Sequence, residues 1–350
     1  MAYSTINKST LHQNTIIYTG NGNASRSITG VGFQPDWTWI KSRSGTNWHN
    51  LYDAVRGVTK ALASNESDTE DTRAQGLTAF GSDGFTVGTD SNVNGNTNSL
   101  VAWNWKAGTT GSGTTTGSGY GKAYSYSVNT TAGFSIVTYK GNGTAGHTIP
   151  HHLGATPSFI IVKNRDTSSG AQWSVYHKDS FTSQSAPGVL YLNTTAGKSN
   201  DTNVWGNSTV TIDSTVFSVG DYDGTNKNDD DMIAYVFAEK TGYSKFGSYT
   251  GNSSSDGVFV YTGFKPSFVM VKNISASQSW WMWDNKRLGY NSSNYRLRPD
   301  TSGAESADNK VDFVSNGFKW RDGDNAWNYT GNTYIYMAFA ESPFVSSEGV

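Results

Sequence analysis

The chain has 350 residues, a formal net charge of −2 and no cysteine, which excludes disulfides, thiolate metal sites and cysteine nucleophiles. Charged residues make up 15% and aromatic residues 13%; the aromatic content argues against disorder, and no Lys/Arg cluster is dense enough to neutralise a row of phosphates, so nucleic acid is not an expected partner. No apolar run reaches the ~20 residues of a membrane span, so no membrane insertion is expected.

Residues 1–17 are polar and read as an N-terminal arm that pairs with a neighbouring chain, docks onto a scaffold or frays. Met1–Lys8 lacks the basic and apolar regions of a signal peptide, which predicts synthesis in a cytosol. The surface chemistry, poor in charge and rich in Gly, Ser, Thr and Asn, resembles that of extracellular proteins. A virion part made in the host cytoplasm and released by lysis satisfies both; so does an ordinary cytosolic binding protein.

From residue 18 a pattern begins that occurs three times. A turn signature comes first: Tyr18-Thr-Gly-Asn21, Tyr139-Lys-Gly-Asn142 and Tyr249-Thr-Gly-Asn252. Next is a proline-led strand ending in lysine: Pro35–Lys41, Pro157–Lys163 and Pro266–Lys272. Proline suits the start of a strand, and the aromatic and β-branched run behind it has high β-propensity. The lysines read as punctuation at the exit to solvent. A tryptophan-rich strand follows, ending in Tyr52-Asp53, Tyr176-His177 or Trp283-Asp284, and each copy ends in a closing strand: Leu100–Trp105, Met232–Phe237, Tyr334–Phe339. In the first closing strand Val101, Trp103 and Trp105 face one way and Ala102 and Asn104 the other, the period of a strand with one buried face.

The copies are a domain long rather than a short solenoid repeat. The predicted fold is all-β: three tandem β-sandwich, jelly-roll-like domains related by internal duplication. The units run 18–107, 122–240 and 241–343, with a C-terminal tail over 344–350. Residues 108–121 are rich in Gly, Ser and Thr and read as a flexible linker, which predicts an independently placed first unit and a docked second and third. Within the first unit, Asp53–Leu62 reads as a loop with a turn of helix leading into a strand over Lys60–Ser64, and Asn65–Asp71 as a solvated acidic loop.

In the second unit, His147, His151, His152 and His177 carry no second-shell pattern of a zinc site. The loop Asp221–Asp231 is the better metal candidate. Asp221, Asp223, Asp229 and Asp231 offer oxygen ligands around a glycine, as calcium loops do, although Gly224 comes too early for an EF-hand and there is no terminal glutamate. The alternative is a charged hairpin loop and no cofactor. In the third unit, Trp281 and Trp283 share a strand face, and Trp327 and Tyr329 fall in a predicted loop. These four are candidates for stacking on sugar rings or for packing against a subunit. Glu239 and Glu341 follow two closing strands and Ala107 the other, one position per unit rather than the two close carboxylates of a glycosidase cleft.

Several strings resemble a known family: Asn14–Gly22, Gly32-Phe-Gln-Pro-Asp-Trp37, Asp53–Lys60, Gly133–Tyr139, Gly242–Asn252 and Tyr336–Glu341. They are similar to repeat-bearing proteins of tailed phages of marine bacteria, including cyanophages, usually labelled hypothetical or tail-fibre-like. The resemblance runs from the first residues to Pro343; the pair His151-His152 stands where those relatives more often show a Gly-His-Gly turn. It implies a non-enzymatic virion structural protein, a tail fibre or surface appendage for host attachment, or a capsid-surface fibre or decoration protein. Expected partners are other virion proteins, a host surface glycan, and further copies of the chain as a homo-oligomer, a trimer that would cover exposed strand edges and aromatic faces. The alternatives are a depolymerase of host surface polysaccharide and a free carbohydrate-binding module.

Overall fold

The computed structural model describes residues 4–185, 187–207, 209–287 and 294–343, so the tail over 344–350 lies outside the described residues. The elements are nearly all strands; the α-helices among the described residues are single turns, Ser91–Asn94, Thr202–Trp205 and Asp223–Asn226. All-β is the observed class.

One four-strand order recurs in the three large sheets. It runs Gln13–Thr19, Ser99–Trp105, Trp37–Ser42, Asn50–Asp53 in the first. It runs Phe134–Lys140, Asp231–Phe237, Phe159–Asn164, Ser174–His177 in the second, and Ser244–Thr250, Thr333–Ala340, Pro266–Asn273, Trp280–Asp284 in the third. A three-stranded sheet packs on one face of each: Arg26–Thr29, Gly84–Val87 and Leu77–Gly81; Thr116–Gly117, His147–Pro150 and Val216–Val219; Phe259–Tyr261, Gly317–Trp320 and Val311–Val314. Each pairing of a large with a small sheet is a sandwich-like block with its own core, such as Ile28, Ile40, Phe85 and Ala102 in the first. The second and third blocks are built alike.

The other face of every large sheet is buried too. Trp37, Trp39, Trp103 and Trp105 join Phe134, Phe159, Tyr235 and Phe237 of the second block and Phe246, Phe268, Met337 and Phe339 of the third in one central core. The alternation along the closing strands therefore separates two cores, not core from solvent: Trp103 and Trp105 point to the centre, Leu100 and Ala102 into their own block. At the centre, Trp105, Phe237 and Phe339 form a near-regular triangle with ring centroids 6.3, 5.9 and 6.0 Å apart. The register makes them equivalent, since they pair with Trp37, Phe159 and Phe268. Each ring buried here contributes about 1.5–3 kcal/mol by area alone.

Three expectations change. The first block is not independent: Trp37 stacks on Tyr235 at 4.3 Å and Trp105 meets Phe268 at 5.8 Å. Nor is 108–121 a flexible linker, because Thr109–Thr114 pairs along its length with Ala123–Val128 and Thr116–Gly117 pairs with His147–Thr148. Gly and Ser permit extended pairing as readily as coil, and the partner strand decides. The expected arm is folded as well: Ile6 is buried in the central core and Gln13–Ile17 lie in the first strand.

The Tyr-x-Gly-Asn signature has a structural cause. Tyr18, Tyr139 and Tyr249 each donate a hydroxyl hydrogen bond, 2.6–2.7 Å, to the carbonyls of Val93, Thr225 and Trp327. The next residues are Asn94, Asn226 and Asn328, all fully buried. Their side-chain oxygens accept the backbone N–H of Asn21, Asn142 and Asn252 at 3.0, 2.9 and 3.1 Å, while their amides donate to Gly88, Gly220 and Asp322 carbonyls. One asparagine thus fastens two loops in every block.

Candidate functional site

The loop Asp221–Asp231 is the second of these asparagine-fastened corners. Asp229 pairs with Lys122 at 2.5 Å and Asp231 with Lys140 at 2.8 Å. Asp221 and Asp223 point elsewhere, lining a cleft of about 400 Å³ with Asp201. The four aspartates do not converge, and among the described residues no group of three or more His, Asp or Glu side chains is arranged to hold a metal ion.

The aromatic candidates of the third block separate. Trp283 and Trp327 are 1% and 2% exposed and belong to that block's core, with Trp327 in the position held by Val93 and Thr225. A ring this enclosed offers no face to a sugar, so Trp327 is not a platform. Trp281 is half-buried against them, with the Arg296 and Arg298 guanidiniums 4.6 and 5.5 Å from its centre. Tyr329 alone of the four is open, at 51%.

The strand-end lysines are not at the solvent. Lys41, Lys163 and Lys272 are fully buried. Lys41 Nζ donates to the Ser42 and Gly45 carbonyls at 2.6 and 3.0 Å, Lys163 Nζ to Asn164 and Thr167 at 2.6 and 3.5 Å, and Lys272 Nζ to Thr195 at 2.9 Å and to Gln278. Burial lowers each ammonium to about 8. The histidines likewise have separate partners. His147 sits between Asn226 and Thr115, His152 stacks on Tyr126 at 3.7 Å, and His151 and His177, lowered to about 4 by burial, donate to the Asp213 and Tyr336 carbonyls.

The blocks meet along three seams. Each seam repeats one backbone bond: Glu70 N–H to the Arg165 carbonyl at 2.8 Å, Lys198 to Ile274 at 2.9 Å, Glu305 to Arg43 at 2.9 Å. The first block reaches the second, the second the third and the third the first. At two seams the glutamate also bridges an arginine from each side: Glu70 joins Arg56 and Arg165, and Glu305 joins Arg287 and Arg43. Burial works to raise the Glu70 carboxyl, but the two guanidiniums outweigh it and hold it below its usual range. Glu239, near the remaining seam, is held down the same way between Lys178 and Lys245, against the effect of burial. Glu70 and Glu239 are thus ionised ties, not proton donors.

Beside Glu70 a cleft of about 290 Å³ opens. Ala61 and Ala63 line it with Trp48, Asp68, Asp71 and Arg73, and Ser168 comes from the second block. Trp48 is 37% exposed, and the Arg73 guanidinium lies 4.9 Å from its ring centre. Arg73 is itself fixed by Asn50 Oδ1 at 2.6 Å and by Asp71 at 3.0 Å. Strand register places Gln172 and Ser279 where Trp48 stands, so the exposed ring belongs to the first block alone. Sequence reasoning passed over Trp48; its signal is a tryptophan one place before the register position of two buried ones, Trp173 and Trp280. A second cleft at this seam, about 420 Å³, holds Asp36, whose carboxyl burial raises while it accepts the Ala107 N–H at 2.7 Å.

No curated protein and no solved structure matches the chain. One family model, described as a domain of unknown function, matches residues 8–343, all three blocks together. The chain therefore belongs to that family, DUF7483.

Proposed function

We propose that this chain is a non-enzymatic structural protein of a virion, most simply a tail fibre or other surface appendage that contacts the host. A capsid-surface fibre or decoration protein is the nearest variant. The observation that carries the reading is the closed ring of seams around one aromatic core, which makes a body that keeps its shape while presenting loops and clefts outward. The resemblance of the Tyr-x-Gly-Asn turns and closing strands to phage tail-fibre-like proteins supports the same setting. The shared strand order and the threefold asparagine corner support three jelly-roll-like units that arose by duplication. Further copies of the chain, as a homo-oligomer, are proposed partners alongside other virion proteins and a host surface glycan.

The test is electron microscopy of the purified full-length chain beside intact particles. Elongated or regularly polymerised assemblies, matched to a feature of the virion, are expected. Compact isolated particles, with the chain absent from virion fractions, overturn the reading.

A further inference from the structure

The cleft around Trp48 has the parts of a sugar subsite. Pyranose rings carry an apolar C–H face and a polar rim, so a protein holds them with an aromatic plane and hydrogen-bonding groups at its edge. Trp48 supplies the plane and is already held in place, since Arg73 lies over its ring and is anchored by Asn50 and Asp71. Ala61 and Ala63 give short walls that leave the cleft unfilled. Asp68 and Asp71 are exposed carboxylates at the rim, suited to accept bonds from neighbouring hydroxyls.

We propose that the Trp48 cleft binds neutral polysaccharide, a hexose chain without carboxylate or sulfate groups. Neutrality follows from the rim: Glu70 is ionised and spent on Arg56 and Arg165, Asp71 is paired with Arg73, and Asp68 adds a further negative charge. An acidic sugar would be repelled there. The blocks' own comparison supports a dedicated site, because the equivalent positions carry Gln172 and Ser279 and the position itself does no core packing. The proposal rests on the attachment reading and names the chemistry that would be attached to.

The full-length chain is run on native gels cast with a soluble mixed-linkage β-glucan, a galactomannan or alginate. Retardation by a neutral polymer and not by alginate is expected. Trp48→Ala raises the polymer concentration for half-retardation about tenfold or more, the loss of one stacking platform. Asp68→Asn gives a smaller loss, and Tyr329→Ala, at an exposed ring elsewhere, gives none. Thermal unfolding confirms that each variant is folded; were Trp48→Ala to melt early, Trp48→Gln, the residue of the second block, replaces it. Retardation by none of the polymers, by alginate alone, or equally with and without Trp48 overturns the proposal. A chain that assembles on virions yet passes all gels unretarded defeats this inference and leaves the structural reading standing.

Discussion

Lys41, Lys163 and Lys272 show what a residue's neighbours can do to its chemistry. Each ammonium is surrounded by carbonyls but removed from water, and its proton is held less firmly than in the unfolded chain. Between the folded value of about 8 and the unfolded value near ~10.4, the native state binds fewer protons than the unfolded one. Stability must then rise with pH through that window, the destabilisation being full below it. Buried tyrosines such as Tyr139 and Tyr235, raised well above 10, act in the opposite sense only beyond the ordinary tyrosine range. Denaturant midpoints measured from pH 7.5 to 9.5 are expected to climb, and the climb should flatten in a Lys41→Met, Lys163→Met, Lys272→Met variant. A midpoint that is level or falling in the parent would contradict the buried state. The sequence reveals that these lysines recur at strand ends. It does not reveal their burial, because although the turns that accept their hydrogen bonds are local, the groups of neighbouring blocks beside them lie far off in the chain: Glu305 and Arg287 near Lys41, Asp68 near Lys163 and Thr195 at Lys272.

The elements themselves are largely legible. Proline-led strands, Tyr-x-Gly-Asn turns and closing strands are local patterns; the loop expected after Asp53 appears as turns without the turn of helix, followed by the strand Lys60–Ala63. The corners are where local reading stops, since Asn94, Asn226 and Asn328 look like ordinary loop residues until their partners some 70 to 85 positions away are known. Asn226→Ala should cost roughly 3 kcal/mol, because several buried donors and acceptors lose their partner at once. Asn228→Ala, two residues on and exposed, should change stability by less than about 0.5 kcal/mol. Equal effects in urea unfolding would mean the corner is not a fastening. The Gly/Ser/Thr stretch makes a further prediction. Paired as a strand, 108–119 should resist limited proteolysis, and brief protease treatment should not release a fragment ending there.

At the level of the molecule, the central core decides cooperativity. Three blocks with separate cores would melt separately, but blocks that share Trp37, Tyr235, Phe268 and Phe339 must part before any of them is exposed. Calorimetry should show one transition, with calorimetric and van't Hoff enthalpies in agreement. Residues 8–107 expressed alone should fail to form a stable monomer, having four core tryptophans uncovered. Trp105→Ala, at one corner of the central triangle, should cost about 3–5 kcal/mol. Two well-separated transitions would restore the picture of an independently placed first unit. The expected trimer was motivated by aromatic faces and strand edges in need of cover, and much of that cover comes from the chain's own other blocks.

The closed seams also carry a consequence for connectivity. Ser267 Oγ lies within hydrogen-bond distance of both the Ala340 carbonyl, 3.2 Å, and Gln13 Oε1, 3.3 Å, so the start of the first strand and the end of the last lie side by side. A circle of blocks has no privileged first member. The order in which the ribosome delivers them is one of several that give the same object: a permuted gene, cut in the turn at Thr241-Gly242 and joined across the old ends, should encode a chain that closes into the same ring.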